Sequence, residues 1–433
     1  MFNPESNSLQ GAQTLDSQDS LASFRKQFHF PMHNTTSGNK EMQSETQKQS
    51  LYFAGHSLGL MPKKASDYVN QELQSWAEFG VEGHFKGKNP WLPYHEMITA
   101  SFARLLGAKD SEVVAMNTLT VNLHLLMVSF YNPTATRNKI LIENNSFPSD
   151  KYAVDSQARF HGFDPKDVIV ELKSDQPDGL SVSEQSILDT IKKMGSSLSL
   201  VMLGNCNYLS GQKFNFQKII EAAHAVGACV GFNLAHGAGN LQMNLHDWNA
   251  DFAVWCTYKY LNSGPGGLAG AFVHQKHHKS DSLPRFEGWW GHDKKSRFKM
   301  GPKFEPIPTV EAWQLSNPPI LQLASLRASM EIFDAAGISN LRKKGDQLTD
   351  YFQWLIEQNL KGFVSVVTPE SRGSMLCLKL SSEPKALMEK LISQGAIVDF
   401  REPNIIRATP VPLYNSFQDV FNLVKMLRDF NHV

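Results

Sequence analysis

Among the 433 residues of this chain, the most informative is a lysine that ends an apolar run. In DFAVWCTYKYLNSGPGG, six of the eight residues at 251–258 are apolar or aromatic, the pattern of a buried strand that delivers Lys259 to a glycine-rich turn. An ammonium loses several kcal/mol on burial unless it is paired or neutralised. An imine to an aldehyde removes that difficulty, because desolvation lowers the amine pKa and makes it nucleophilic. The alternative is a structural lysine whose stem lies along the strand and whose amine reaches a loop surface.

Three further segments bring candidates towards it. In ACVGFNLAHGAGN a strand ends at Asn233 and His236 follows in the next loop. Asn233 and Lys259 are 259 − 233 = 26 residues apart, the length of one crossover between neighbouring strands, so both would face one crevice. Read alone, His236 could equally cap a loop. In NTLTVNLHLLM, Thr118 and Thr120 stand at the start of an apolar helix. They are either ordinary N-caps or part of a helix terminus that binds phosphate. In NSFPSD, Phe147 could stack on a flat ring and Asp150 could hydrogen-bond a phenolic oxygen. A core phenylalanine and a turn aspartate fit that segment as well. The stretch from Gly264 to Ala269 matches GxGxxA but precedes a strand, so it lacks the context of a dinucleotide site. His277 and His278, within QKHHKSDS, read as a solvated loop rather than a metal site.

The elements that must position these residues alternate. Strand-like runs KILIE, DVIVEL, LSLVML, ACVGFN, FAVWCTY and LAGAFV are interleaved with helical spacing at 121–131, 183–194 and 216–226. That is the signature of an α/β fold with a mainly parallel sheet covered by helices, which binds ligands beyond the carboxyl ends of its strands. An amphipathic helix is expected at 63–80. Residues 1–50 read as an arm, with a packing patch at 24–30 and a flexible or extended stretch at 34–50. Residues 51–320 form a large α/β domain whose first helices can pack with the small domain. Residues 321–433 form that small α+β domain, with helices at 320–336 and 341–359 and then strand, strand, helix, strand, strand and helix.

Composition narrows the function. Lys plus Arg and Asp plus Glu are both 42, a formal net charge of zero. This argues against nucleic acid and against electrostatic docking to an acidic membrane. No apolar run approaches the length of a membrane span and no leader is apparent, so the expected location is the cytoplasm. Cys206, Cys229, Cys256 and Cys377 lack zinc-site spacing and read as reduced, mostly buried thiols. A charged fraction of 19%, below the roughly 25% of typical domains, hints at surface buried in an oligomer.

Together these segments resemble the fold-type-I pyridoxal phosphate enzymes, and among them the kynureninases. The resemblance runs from about Tyr52 to Phe430, carried by AGHSLGL, TLTVNLHLLM, FPSD, LAHGAGN, WCTYKYLNSGPGG, GWWGHD, SRFKM, SNPPI and RATPVPLYNS. It implies a pyridoxal 5'-phosphate cofactor held as an imine on Lys259. Tyr258 would contact the phosphate and supply a proton to the departing fragment. Leu119 and Thr120 would hold the phosphate, with Trp289 and Asn317 reaching across a homodimer interface. Phe147 would stack on the ring, Asp150 would sit near the phenolic oxygen, and His236 would belong to the cofactor shell. Arg407 would grip the α-carboxylate of an amino-acid substrate, flanked at its aryl group by His84 and Asn317. The implied reaction is hydrolytic Cβ–Cγ cleavage of L-kynurenine or 3-hydroxykynurenine to an anthranilate and L-alanine.

The chain departs from that pattern at one chemically loaded position. The family carries an aspartate, paired with the pyridinium nitrogen, where this chain has Asn233. His56 stands for the usual Asn, Gly204 for a common Ser and Asn89 for an Arg; these bear more on substrate preference than on cofactor binding. Asn233 motivates an alternative, a slow or non-catalytic cofactor-binding homologue with a binding or regulatory role. A desulfurase would need a cysteine on a mobile loop, whereas Cys377 lies inside an apolar strand.

Overall fold

The computed structural model describes residues 2–37, 44–143, 145–279, 283–382 and 384–431. Its centre is a seven-stranded sheet. The strands are β1 (Val113–Met116), β2 (Lys139–Ile142), β3 (Ile169–Glu171), β4 (Leu198–Gly204), β5 (Cys229–Asn233), β6 (Phe252–Cys256) and β7 (Ala269–Val273). Their order across the sheet is β1-β7-β6-β5-β4-β2-β3. β2 to β6 run parallel to one another, and β7 is antiparallel to both β6 and β1. All residues of β4, β6 and β7 are buried, as expected where helices cover both faces. The mainly parallel sheet expected from the alternating runs is therefore present.

Two glycines allow the middle of this sheet to close. Gly231 on β5 pairs with Phe252 on β6, and Gly270 on β7 pairs with Trp255 on β6. A Cβ on Gly231 would lie 2.0 Å from the Phe252 ring, and one on Gly270 would lie 2.1 Å from the Trp255 indole. Each aromatic side chain of β6 thus lies across a neighbouring strand that has no side chain there.

Behind the large sheet, helix Ile320–Ala336 packs on helices Lys64–Phe79 and Glu96–Leu106. Helix Ile338–Asn359 leads into an antiparallel sheet ordered Val364–Val366, Leu376–Leu380, Ile405–Ala408, Asp399–Arg401. Leu348, Phe352, Leu378, Ile406 and Leu423 share its core.

Three local differences from the sequence reading have physical reasons. Within the first 50 residues, packing extends beyond 24–30. Helix Leu9–Ser17 lies on helix Phe417–Asn431, and the Asp16 carboxylate accepts the Phe417 and Gln418 N–H groups at 2.7 and 3.0 Å. That cap joins residues about 400 apart and leaves no local pattern. In the arm, Met32–Ser37 pairs antiparallel with Ser44–Gln49, and residues 38–43 lie outside the described residues. The run AIVDF divides: Ala396–Ile397 pairs with Leu51–Tyr52, while Asp399–Arg401 joins the small sheet beside Arg407. The histidine pair at 277 and 278 is not a solvated loop where described. His277 bonds the buried Asp251 carboxylate at 2.8 Å, and His278 is itself buried; a buried carboxylate needs such donors. Among the described residues no helix is long and apolar enough to cross a membrane. All four cysteines are free, with Cys206, Cys256 and Cys377 buried and Cys229 partly so.

If β6 packs as described, Gly231→Ala should overpack the sheet and cost about 1–3 kcal/mol. The urea unfolding midpoint of the variant should fall accordingly; an unchanged midpoint would contradict this packing.

Candidate active site

The carboxyl ends of β2, β4, β5 and β6 converge on one pocket. It is lined by Leu119, Thr120, Phe147, Asp150, Asn233, His236, Tyr258 and Lys259, with Glu143, Ser149, Gly204, Cys206, Tyr208 and Ala235. Eight residues singled out from separate sequence segments thus meet in one place. β6 ends at Cys256, and the bend that follows brings Tyr258 and Lys259 to the opening.

One wall is built from two helix starts. Helix Leu119–Phe130 begins after Thr118, whose side chain makes no capping bond. Helix Pro148–Phe160 begins after Phe147, again without a side-chain cap. The Thr120 and Ser149 hydroxyls lie 2.8 Å apart and tie the two first turns together. Side-by-side N-termini present free N–H groups and the positive ends of two helix dipoles, a suitable cradle for a phosphate.

Across the pocket, the Lys259 amine is 3.2 Å from His236 Nε2 and 5.8 Å from the centre of the Phe147 ring. Burial lowers the Lys259 pKa; Arg407 and Arg401 also lower it, against Cys256 and Asp150. Burial and the Lys259 and Arg407 cations hold His236 well below its ordinary value, so it is neutral. Burial pushes the Tyr258 phenol up to about 12, which keeps its proton in place for donation.

The floor is acidic. Asn233 Nδ2 donates to Asp150 Oδ2 at 2.7 Å, while Asn233 Oδ1 accepts the Ala235 N–H at 2.9 Å. The second Asp150 oxygen is buried without a hydrogen-bond partner. Burial raises the Asp150 pKa to about 6, against the Asn233 hydrogen bond and the Lys259 charge. Beside it, Glu143 Oε2 accepts from Asn207 Nδ2 at 3.1 Å. Burial raises Glu143 to about 7, with Asp150 adding to the rise.

Arg407, on the small sheet, is not among the lining residues and meets the pocket through Tyr208. It is 2% exposed, donates to the Tyr208 carbonyl at 2.6 Å and pairs with Asp399. Asp399 also meets buried His56 at 3.3 Å. His84, Trp289 and Asn317 do not line this pocket. His84 packs edge-on to Trp91 at 5.4 Å, and exposed Trp289 packs on Phe298 at 5.5 Å. Asn317 is exposed.

The motif reading passes over Glu143, Ser149 and Asp399, although a signal exists for each. Glu143 ends the apolar run KILIE, an acid where a buried strand meets the ligand crevice. Ser149 lies inside FPSD, and Asp399 ends AIV. The residues present fit pyridoxal phosphate: paired helix N-termini for the phosphate, an amine of lowered pKa for the aldehyde, and an unpartnered buried carboxylate oxygen for a cationic ring nitrogen.

The acidic floor has a pH consequence. Glu143 binds its proton more tightly in the folded chain, at about 7 against an ordinary 4.5. The cofactor-free protein therefore loses stability from this group as pH rises through that window, and stays lower above it. Glu143→Gln should raise the melting temperature of the cofactor-free protein more at pH 8 than at pH 5. A difference that does not change with pH would contradict the assignment.

Known proteins resemble this chain over nearly its whole length. A family model described as the kynureninase C-terminal domain matches residues 341–427. A kynureninase from Myxococcus xanthus is 53% identical over 419 residues, covering 96% of each chain. One from Flavobacterium psychrophilum is 47% identical over 428 residues, covering 98% of each. Among solved structures, a cysteine desulfurase from Escherichia coli superposes with a TM-score of 0.74 at 15% identity, covering 95% of this chain and 98% of that one. A cystine C–S lyase does so at 0.73 and 16% identity, covering 88% and 97%; these two establish the fold alone. With such identity over nearly the whole length of both chains, this chain belongs to the kynureninase family.

Proposed function

We propose that the chain is a pyridoxal 5'-phosphate-dependent hydrolase that cleaves the Cβ–Cγ bond of L-kynurenine or 3-hydroxykynurenine, giving L-alanine and the corresponding anthranilate. The observation that carries this reading is Lys259, a lysine of lowered pKa at the strand-end pocket of a kynureninase-family chain. When bound, the cofactor supplies an electron sink for charge that develops on the substrate.

The chain's own groups do the rest. Thr120, Ser149 and the two helix starts would hold the phosphate, with Phe147 on the side of the ring. The Lys259 amine, whose pKa burial lowers, would take the α proton and return it to another carbon. Neutral His236 sits against that amine and limits its positions. Tyr258 keeps its phenolic proton to near pH 12 and so can donate it to the leaving fragment. The Arg407 fork receives the α-carboxylate in exchange for Asp399.

A homodimer completes the site. Trp289, Phe298, Phe85, Val81 and Met300 are all exposed, and Phe85, Phe298 and Trp289 are in ring contact. An apolar surface of this kind marks an interface. Trp289 and Asn317 of the partner subunit would then reach the phosphate, and His84 would meet the aryl group. The chemistry suits a small amino-acid substrate of the cytoplasm. The high identity to kynureninases over nearly the whole chain does not favour a non-catalytic role, and Lys259 and Tyr258 both line the pocket.

Protein loaded with cofactor should release one anthranilate and one alanine per substrate consumed, read by fluorescence and amino-acid analysis. No release from either kynurenine would overturn the proposal. Lys259→Ala should lower kcat by about a thousandfold or more. Arg407→Lys should raise KM by roughly tenfold, because an ammonium lacks the two-pronged fork; an unchanged KM would remove Arg407 from the substrate site.

A further inference from the structure

Asn233 leaves the pocket without a carboxylate at the end of β5, yet the floor carries two others. Gly204 and Asn233 are paired across β4 and β5. A Cβ on Gly204 would lie 2.7 Å from Glu143 Oε1. The absence of a side chain at 204 is therefore what admits the Glu143 carboxyl, and the Gly204 N–H hydrogen-bonds it. Two of the chain's departures from the family pattern, Gly204 and Asn233, are thus neighbours joined through one acidic cluster.

The Asn233 amide has a fixed orientation. Its oxygen is taken by the Ala235 N–H, so its NH2 faces Asp150 and occupies one carboxylate oxygen. The other oxygen of Asp150 is left buried and unpartnered within the same pocket as Lys259. An aspartate at 233 would place two carboxyls 2.7 Å apart, and such a pair holds one proton and one net negative charge. An amide beside an ionised carboxylate carries the same single charge, with the shared proton replaced by a permanent N–H donor.

We propose that Asp150, aimed by the Asn233 amide and reinforced by the Glu143 carboxyl that Gly204 admits, supplies the negative charge that keeps the cofactor's ring nitrogen protonated in this chain. Asn233 and Glu143 act through Asp150 and are positioning residues. The inference concerns how the cofactor is held, not which substrate is cleaved, so failure to turn over kynurenine would leave it standing.

The test uses the full chain loaded with pyridoxal phosphate carrying nitrogen-15 in the ring. Its nitrogen chemical shift near neutral pH reports protonation without any turnover, and cofactor dissociation is measured alongside. The wild-type ring nitrogen should be protonated. Asp150→Asn should shift it to the unprotonated position and weaken cofactor binding by about tenfold or more. Glu143→Gln, which keeps an acceptor for Asn207, should weaken binding by a smaller, roughly threefold factor. Asn233→Asp should leave the ring nitrogen protonated. An unprotonated wild-type nitrogen that Asn233→Asp converts to the protonated form would overturn the proposal. So would an Asp150→Asn variant that binds cofactor with unchanged affinity and a protonated nitrogen. If Asp150→Asn does not fold, the wild-type and Asn233→Asp shifts decide between these outcomes.

Discussion

The hydrogen bond from Asn233 to Asp150 joins the end of a buried strand to the first turn of a helix, and it sets the charge of the pocket. Two ionised carboxyls could not occupy those positions together in a site closed to water. One amide and one carboxyl can. The amide gives Asp150 a donor on one side and leaves the other oxygen buried without a hydrogen-bond partner. The pocket thereby pairs a lysine of lowered pKa with an acid of raised pKa, each displaced towards neutrality mainly by the same burial.

Around that pair the fold separates binding tasks by sign. Helices 119–130 and 148–160 bring positive dipole ends and the Thr120–Ser149 hydroxyl pair to one wall. Two strand ends bring Glu143 and Asn233 to the floor, and the first turn of helix 148–160 brings Asp150. The small sheet carries Arg407, which is bonded to the pocket residue Tyr208 and paired with Asp399. A chain with equal numbers of acidic and basic residues has no net field to attract substrate from a distance. Its selectivity rests on point contacts at short range, which accords with a small zwitterionic amino-acid substrate.

Much of this was legible in the sequence where the signal is local. The apolar run before Lys259, the strand that ends at Asn233 and the threonines before an apolar helix each carry their meaning within about ten residues. The 26-residue interval between Asn233 and Lys259 placed them on neighbouring strands, as β5 and β6 are. What remained hidden depends on contacts between distant segments. Glu143 matters because Gly204 lacks a side chain, a relation between two strands rather than a motif. Asp399 matters because AIVDF divides between two sheets. The exposed aromatic surface that holds Trp289 has no local pattern either, since Phe85 comes from a segment far in sequence from Trp289 and Phe298.

A crystal structure of the chain with pyridoxal phosphate bound tests the central claim most directly, through the distance from the ring nitrogen to each floor residue. An Asp150 carboxylate oxygen within hydrogen-bond distance of that nitrogen, with the Asn233 amide still donating to Asp150, is the predicted arrangement. A ring nitrogen facing Asn233 or water, with Asp150 turned away to the phenolic oxygen, would contradict the account.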